Sequence, residues 1–267
     1  MKHLVNRNTV TALALATASI GAQAELRTET VEYTLGDQTF SGYLAWDDES
    51  EGARPGVLVV HEWWGHNEFA REQAEQLAAA GYTAFALDMY GEGKLAEHPD
   101  TAQEFMKEAT KDPEQIKARF LKAKEILQNH ESVNADKIAA QGYCFGGAVV
   151  LNMARMGVEL DGVVSYHGAL ASPVQAEPGK VKAEIQVYTG GADPMVPAEQ
   201  VAGLVQEMQL AGVDLTLVSF PDVKHSFTNP GADAFAEKFG MPVGYDEGAA
   251  RRSWDGTLQF YERIFAD

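Results

Sequence analysis

Short apolar runs rich in β-branched residues alternate along this chain with stretches of helical period. Residues 57–60 (Val-Leu-Val-Val) form a wholly apolar run, which predicts a strand buried on both faces of a parallel sheet. Over residues 68–80, Phe69, Ala70, Ala74, Leu77 and Ala78 share one helical face, and Gly81 can close that helix in the left-handed conformation. The same alternation predicts strands at 82–87, 137–141, 161–166, 183–189 and 214–220. Helices are expected from Asp112-Pro113 (with Ile116, Phe120, Ala123 and Leu127 in register), over 148–156, and from Pro197 to Gly212 with Val201, Leu204, Val205 and Met208 aligned. A last helix carries Trp254, Leu258, Tyr261 and Phe265. Ahead of this unit, 27–34 and 38–46 read as a hairpin around Gly36-Asp37. Residues 91–100 read as a polar loop without an assigned role. The pattern specifies an α/β fold: a mostly parallel central sheet with helices on both faces and an N-terminal hairpin. No repeat or interdomain linker interrupts it, so residues 25–267 are expected to form one domain.

The first 24 residues depart from this pattern. Lys2 and Arg7 precede a short apolar run at 10–20 and the small-residue site Ala22-Gln23-Ala24, which predicts a cleaved signal peptide and an exported, periplasmic protein without a membrane anchor. The chain has 39 acidic against 21 basic residues, a formal charge of −18, which disfavours nucleic acid and anionic membranes as partners. A small-molecule partner and a monomer or small homo-oligomer are the economical expectation. One cysteine, Cys144, cannot form an intramolecular disulfide, so it is either buried and inert or kept for reactivity.

Cys144 lies in Gly142-Tyr143-Cys144-Phe145-Gly146-Gly147, between a strand-like and a helix-like run. This is the nucleophile-elbow pattern G-x-S-x-G with sulfur in place of oxygen: the turn brings backbones together, and Gly142 and Gly146 leave room for it. A helix N-terminus there would favour a thiolate, and the Phe145 amide would be free to bind an oxyanion. Two more reactive side chains follow later strands, Asp193 and then His225. Nucleophile, acid, histidine is the chain order of the α/β-hydrolase triad. Glu62 and Asp88 also fall at strand ends, where open parallel sheets gather function.

These residues, with Val-Val-His-Glu-Trp-Trp-Gly at 59–65, Gly-Ala-Asp-Pro at 191–194 and Val-Lys-His-Ser-Phe at 223–227, resemble the dienelactone hydrolase (carboxymethylenebutenolidase) family over essentially the whole mature chain. The resemblance implies an α/β-hydrolase fold, a Cys144, His225, Asp193 triad, Glu62 tuning the thiol, and an oxyanion hole from the Trp63 and Phe145 amides. It implies cleavage of a small ester or lactone through an acyl-enzyme, without a cofactor. Family members that act on dienelactone hold its carboxylate with arginines, one of them four residues after the histidine. That position here is Asn229, and the loop after Tyr90 offers Lys94.

The other candidates have plainer readings. His61 and His66 stand five apart, which is not the zinc spacing of H-E-x-x-H, so no metal is expected. No glycine-rich phosphate loop follows residue 60 or 87, which argues against nucleotide cofactors. His167 reads as a satisfied histidine at a sheet end. Trp63, Trp64, Tyr90 and Phe227 are candidates for an apolar acyl pocket, or plain core. An acyltransferase or thioesterase with the same nucleophile, and a non-enzymatic thiol redox or binding protein, remain as alternatives.

Overall fold

The computed structural model describes residues 26–48 and 52–266; the expected signal peptide lies outside them. Eight strands form one sheet: β1 (Leu26–Leu35), β2 (Gln38–Asp47), β3 (Arg54–Val60), β4 (Thr83–Leu87), β5 (Val133–Tyr143), β6 (Gly162–Tyr166), β7 (Glu184–Gly190) and β8 (Leu215–Phe220). Their order is β1-β2-β4-β3-β5-β6-β7-β8. The β1–β2 hairpin pairs antiparallel and joins β4 antiparallel; every pairing from β4 to β8 is parallel. The helices are α1 (Glu68–Ala79), α2 (Pro99–Thr110), α3 (Pro113–Gln128), α4 (Phe145–Arg155), α5 (Ala198–Ala211), α6 (Ala232–Phe239) and α7 (Glu247–Ile264).

Strand side chains point alternately to the two faces, and each face feeds its own core. On β3, Leu58 and Val60 join the cluster beneath α3, α4 and α5, while Val57 and Val59 join the cluster beneath α1 and α7. Burial on both sides is why β3 reads as an unbroken apolar run. Where strands are polar, the groups are paired inside: Gln141 donates to the Tyr143 hydroxyl, which donates to Gln73, and Tyr261 donates to Gln141. No helix among the described residues is long and apolar enough to cross a membrane.

Helix starts follow the local chemistry. Asp112 caps α3 by accepting from the Glu114 amide, with Pro113 at the first helical position, and Gly212 ends α5 at φ 69°. Two helices depart from the sequence reading. Helix α2 begins at Pro99, inside the stretch read as a loop to residue 100, and α6 was not anticipated at all. Both are short and largely exposed; α2 buries only Ala102 and Ala109, and α6 only Ala232. Val205, aligned with the buried face of α5, is exposed, and Ala211 takes its place inside. Both unanticipated helices stand over the ends of the parallel strands and form walls of the cavity described next.

Candidate active site

Strand β5 runs into α4 through Cys144, whose backbone is left-handed at φ 53° and ψ −112°. For a residue with a Cβ this is a strained conformation, and here the packing imposes it. A Cβ on Gly142 would lie 2.2 Å from the Gly146 carbonyl oxygen, and one on Gly146 would lie 2.2 Å from that of Val60. No side chain fits at either place, so the two glycines are what allow the turn to close. The strain turns the half-buried thiol into a cavity at the top of the sheet, beside the junction of β3 and β5.

His225 follows β8 and Asp193 follows β7, and the fold brings them together: His225 Nδ1 and Asp193 Oδ2 are 2.7 Å apart. The second Asp193 oxygen accepts from the Met195 amide at 2.8 Å. With Nδ1 held by a carboxylate, the neutral imidazole keeps its proton there and leaves Nε2 as a base. That Nε2 is buried without a hydrogen-bond partner, and His225 lines the same cavity as Cys144. Burial alone would lower the pKa of His225. The negative charge that Cys144 carries once its proton has passed to Nε2, together with the bond to Asp193, outweighs burial and raises it to about 10.

The raised pKa carries a stability consequence with a definite sign. A histidine whose folded pKa exceeds its unfolded value of about 6.5 contributes stability in full below pH 6.5 and loses it as pH rises through 10. The gap in urea midpoint between the native protein and His225→Gln should therefore shrink from pH 6.5 to pH 10, as read by equilibrium unfolding at both values. A constant gap would show the imidazole to be unperturbed.

Glu62 follows β3 and is only 1% exposed. Ser226 Oγ donates to its Oε1 at 2.8 Å and Asn229 Nδ2 to its Oε2 at 2.6 Å. Burial pushes its carboxyl above the usual range, while Asn229, Ser226 and the charge of His225 pull it back. The hydrogen bonds of Glu62 thus run to two neutral side chains and not to the thiol. Sequence reading found Asn229 only as a missing arginine; its amide is spent on a buried carboxylate, a partnership that no local signal in the chain announces.

The Trp63 and Phe145 amides donate to no other group among the described residues, which leaves them available to an oxyanion. The Trp63 loop is held from behind. The Tyr90 hydroxyl donates to the Trp63 carbonyl at 2.9 Å, and His61 is pinned between the Glu62 carbonyl at 2.5 Å and the Met89 amide at 3.2 Å. His167 is the satisfied histidine at a sheet end that its position suggested, and its partners lie in the site. The Cys144 amide is shared between the Tyr166 carbonyl at 3.0 Å and His167 Nδ1 at 3.1 Å; with Nδ1 accepting, Nε2 carries the proton and donates to Thr228 Oγ1 at 2.8 Å. Burial, then the charge of His225, holds His167 well below its ordinary pKa and keeps it neutral. Asp88 is withdrawn from the site: Oδ1 accepts from the Tyr90 and Gly91 amides and organises that loop.

The cavity measures about 290 Å³. Trp63 and Trp64 line it, with Met106 and Thr110 of α2, Phe235 of α6, and Met195, Met241 and Val243 from loops. Trp64 stacks on Phe235 with centroids 4.4 Å apart. Two expected pocket residues do not line it. Tyr90 sits behind the wall against His61 and Phe145, and Phe227 is core on the opposite face of the sheet, packed on Phe220 and His167. Lys94 points elsewhere, into a cleft with Lys107 and Lys111. No cluster of three or more His, Cys, Asp or Glu able to hold a metal occurs among the described residues.

The profile of the dienelactone hydrolase family matches residues 40–265. A putative carboxymethylenebutenolidase of Aquifex aeolicus is 27% identical over 87% of this chain and 96% of its own. Protein usf of Aquifex pyrophilus is 26% identical over the same shares of the two chains. Among solved structures, a dienelactone hydrolase-like promiscuous phosphotriesterase from metagenomic libraries superposes with a TM-score of 0.85 at 30% identity, covering 91% of this chain and 99% of that one.

Proposed function

The chain belongs to the dienelactone hydrolase family, an α/β-hydrolase family acting on ester bonds, and on that premise we propose an exported hydrolase of small esters or lactones with Cys144 as nucleophile. What carries the assignment is one geometric fact: an unpartnered, buried Nε2 on an imidazole anchored at 2.7 Å to Asp193, in the cavity that holds the thiol.

In this mechanism the Cys144 proton passes to His225 Nε2 as sulfur attacks the substrate carbonyl carbon. The carbonyl oxygen becomes an oxyanion facing the Trp63 and Phe145 amides, each worth about 3 kcal/mol to the transition state. Collapse breaks the ester C–O bond, and the imidazolium returns the proton to the departing alkoxide, leaving a thioester on Cys144. Water then attacks that thioester, giving its proton to His225. The second collapse releases the acid, and the proton returns to sulfur. Asp193 holds Nδ1–H throughout, His167 and the elbow fix the nucleophile's backbone, and Glu62 lies buried close enough for the charge of His225 to act on its carboxyl. The export part of the proposal rests on the leader-like pattern of residues 1–24.

The direct test is acyl trapping. Mixing the protein with a slowly deacylating aryl ester should release a burst of phenol equal to the enzyme concentration. The peptide containing Cys144 should then carry one acyl group by mass spectrometry. A burst with the acyl group on another residue, or none, would remove Cys144 from the role.

A further inference from the structure

We infer that the Cys144 cavity selects esters or lactones whose acyl part is uncharged and apolar, and rejects acyl groups that end in a carboxylate. This rests on the hydrolase reading above and names its substrate class.

The walls supply the reason. No lysine or arginine among the described residues lines the cavity, whose walls include tryptophan, phenylalanine and methionine side chains. Its two hydroxyls are already committed inward: Thr110 donates to the Met106 carbonyl and Ser226 to Glu62. The neutral indole N–H groups of Trp63 and Trp64 are the remaining side-chain donors apart from His225, and a neutral donor does not replace a charge-assisted fork on a carboxylate. The one group of the wall able to become cationic, His225, has that charge balanced by Asp193, bonded at 2.7 Å, and by the Cys144 sulfur that gave up the proton. Beneath the wall sits Glu62, whose carboxyl oxygens accept from Ser226 and Asn229, neither of them a cation. A carboxylate entering here would lose its water, meet no lysine or arginine and be repelled by Asp193. The nearby cations Lys94, Lys107 and Lys111 line a separate cleft with Asp100, Glu104 and Glu108. An uncharged apolar acyl group meets none of these costs and covers Met195, which is otherwise 39% exposed.

Three rigid esters of one leaving group separate the possibilities: 4-nitrophenyl benzoate, its 4-carboxamide and its 4-carboxylate. The amide controls for size and polarity. The carboxylate should show kcat/KM on the order of 100-fold below the benzoate, with the amide between them. Met195→Lys places a cation on the lining and should narrow the benzoate-to-carboxylate ratio at least about tenfold, read as a ratio whatever the absolute rates. A native ratio below about tenfold, or a ratio that Met195→Lys leaves unchanged, overturns the charge-based selectivity while the hydrolase reading stands. Folded native protein that turns over none of the three esters overturns the hydrolase reading, and this inference with it.

Discussion

Cys144→Ala will lower ester turnover by at least about 10⁴-fold, while unfolding at nearly the native urea midpoint. The loss is large because the groups around the sulfur have no other reacting atom to serve: His225 would have no proton to take, and the oxyanion donors no intermediate to hold. The cost in stability is small because the residue is only half-buried and the substitution removes one sulfur atom. Alanine and cysteine both carry a Cβ, so the left-handed backbone at φ 53° is strained equally in either. A second readout accompanies the first. The charge of Cys144 is the largest influence raising the pKa of His225, so in the alanine variant the imidazole should titrate well below the native value of about 10, as followed by NMR. Full turnover in this variant would end the assignment of the nucleophile, and an unmoved His225 titration would show that the two side chains do not sense each other.

Asp193→Asn should be almost as damaging, about 10⁴-fold in kcat, with the fold retained. Both carboxylate oxygens of Asp193 are acceptors, one for the Met195 amide and one for His225 Nδ1. An asparagine has only one such oxygen. If that oxygen keeps the Met195 amide, the NH₂ group faces Nδ1 and must donate to it. The imidazole then carries its proton on Nε2 and cannot accept one from Cys144. If the amide is reversed, its NH₂ opposes the Met195 N–H, and the loop from 193 to 196 loses a bond that shapes the cavity wall. Nitrogen-15 NMR of His225 would report the tautomer directly. An Nε2–H signal with kcat reduced by orders of magnitude is the expected pair, and a native tautomer with a native rate would remove Asp193 from the site.

Much of this was legible before any coordinates. The buried strands were apolar and short because both faces of the sheet are covered, so the runs at 57–60 and 183–189 could be read directly. The elbow was legible because backbone crowding at Gly142 and Gly146 is a local constraint that leaves a local trace. Helices α2 and α6 were missed because each buries very little, and the apolar residues they do present serve the cavity more than the core. Tyr90 and Phe227 were misplaced for the opposite reason. An aromatic next to a functional residue in the chain can point to either face of the sheet, and neighbouring sequence does not say which. The partners of Glu62 were invisible, since Ser226 and Asn229 lie more than 160 positions away.

By itself, then, the chain determined its alternation of strands and helices, the crowded turn that presents Cys144, and the order of the three reactive side chains. Those features are written in periodicity and in residues that only one backbone conformation tolerates. Tertiary structure alone decided which polar group meets which: His225 with Asp193, Glu62 with Asn229, His167 with the Cys144 amide. It also decided that, among the described residues, no lysine or arginine would stand in the cavity wall. Such pairings depend on angles and separations of a few ångströms between segments distant in the chain, and these exist only once the sheet has twisted and its loops have closed over it.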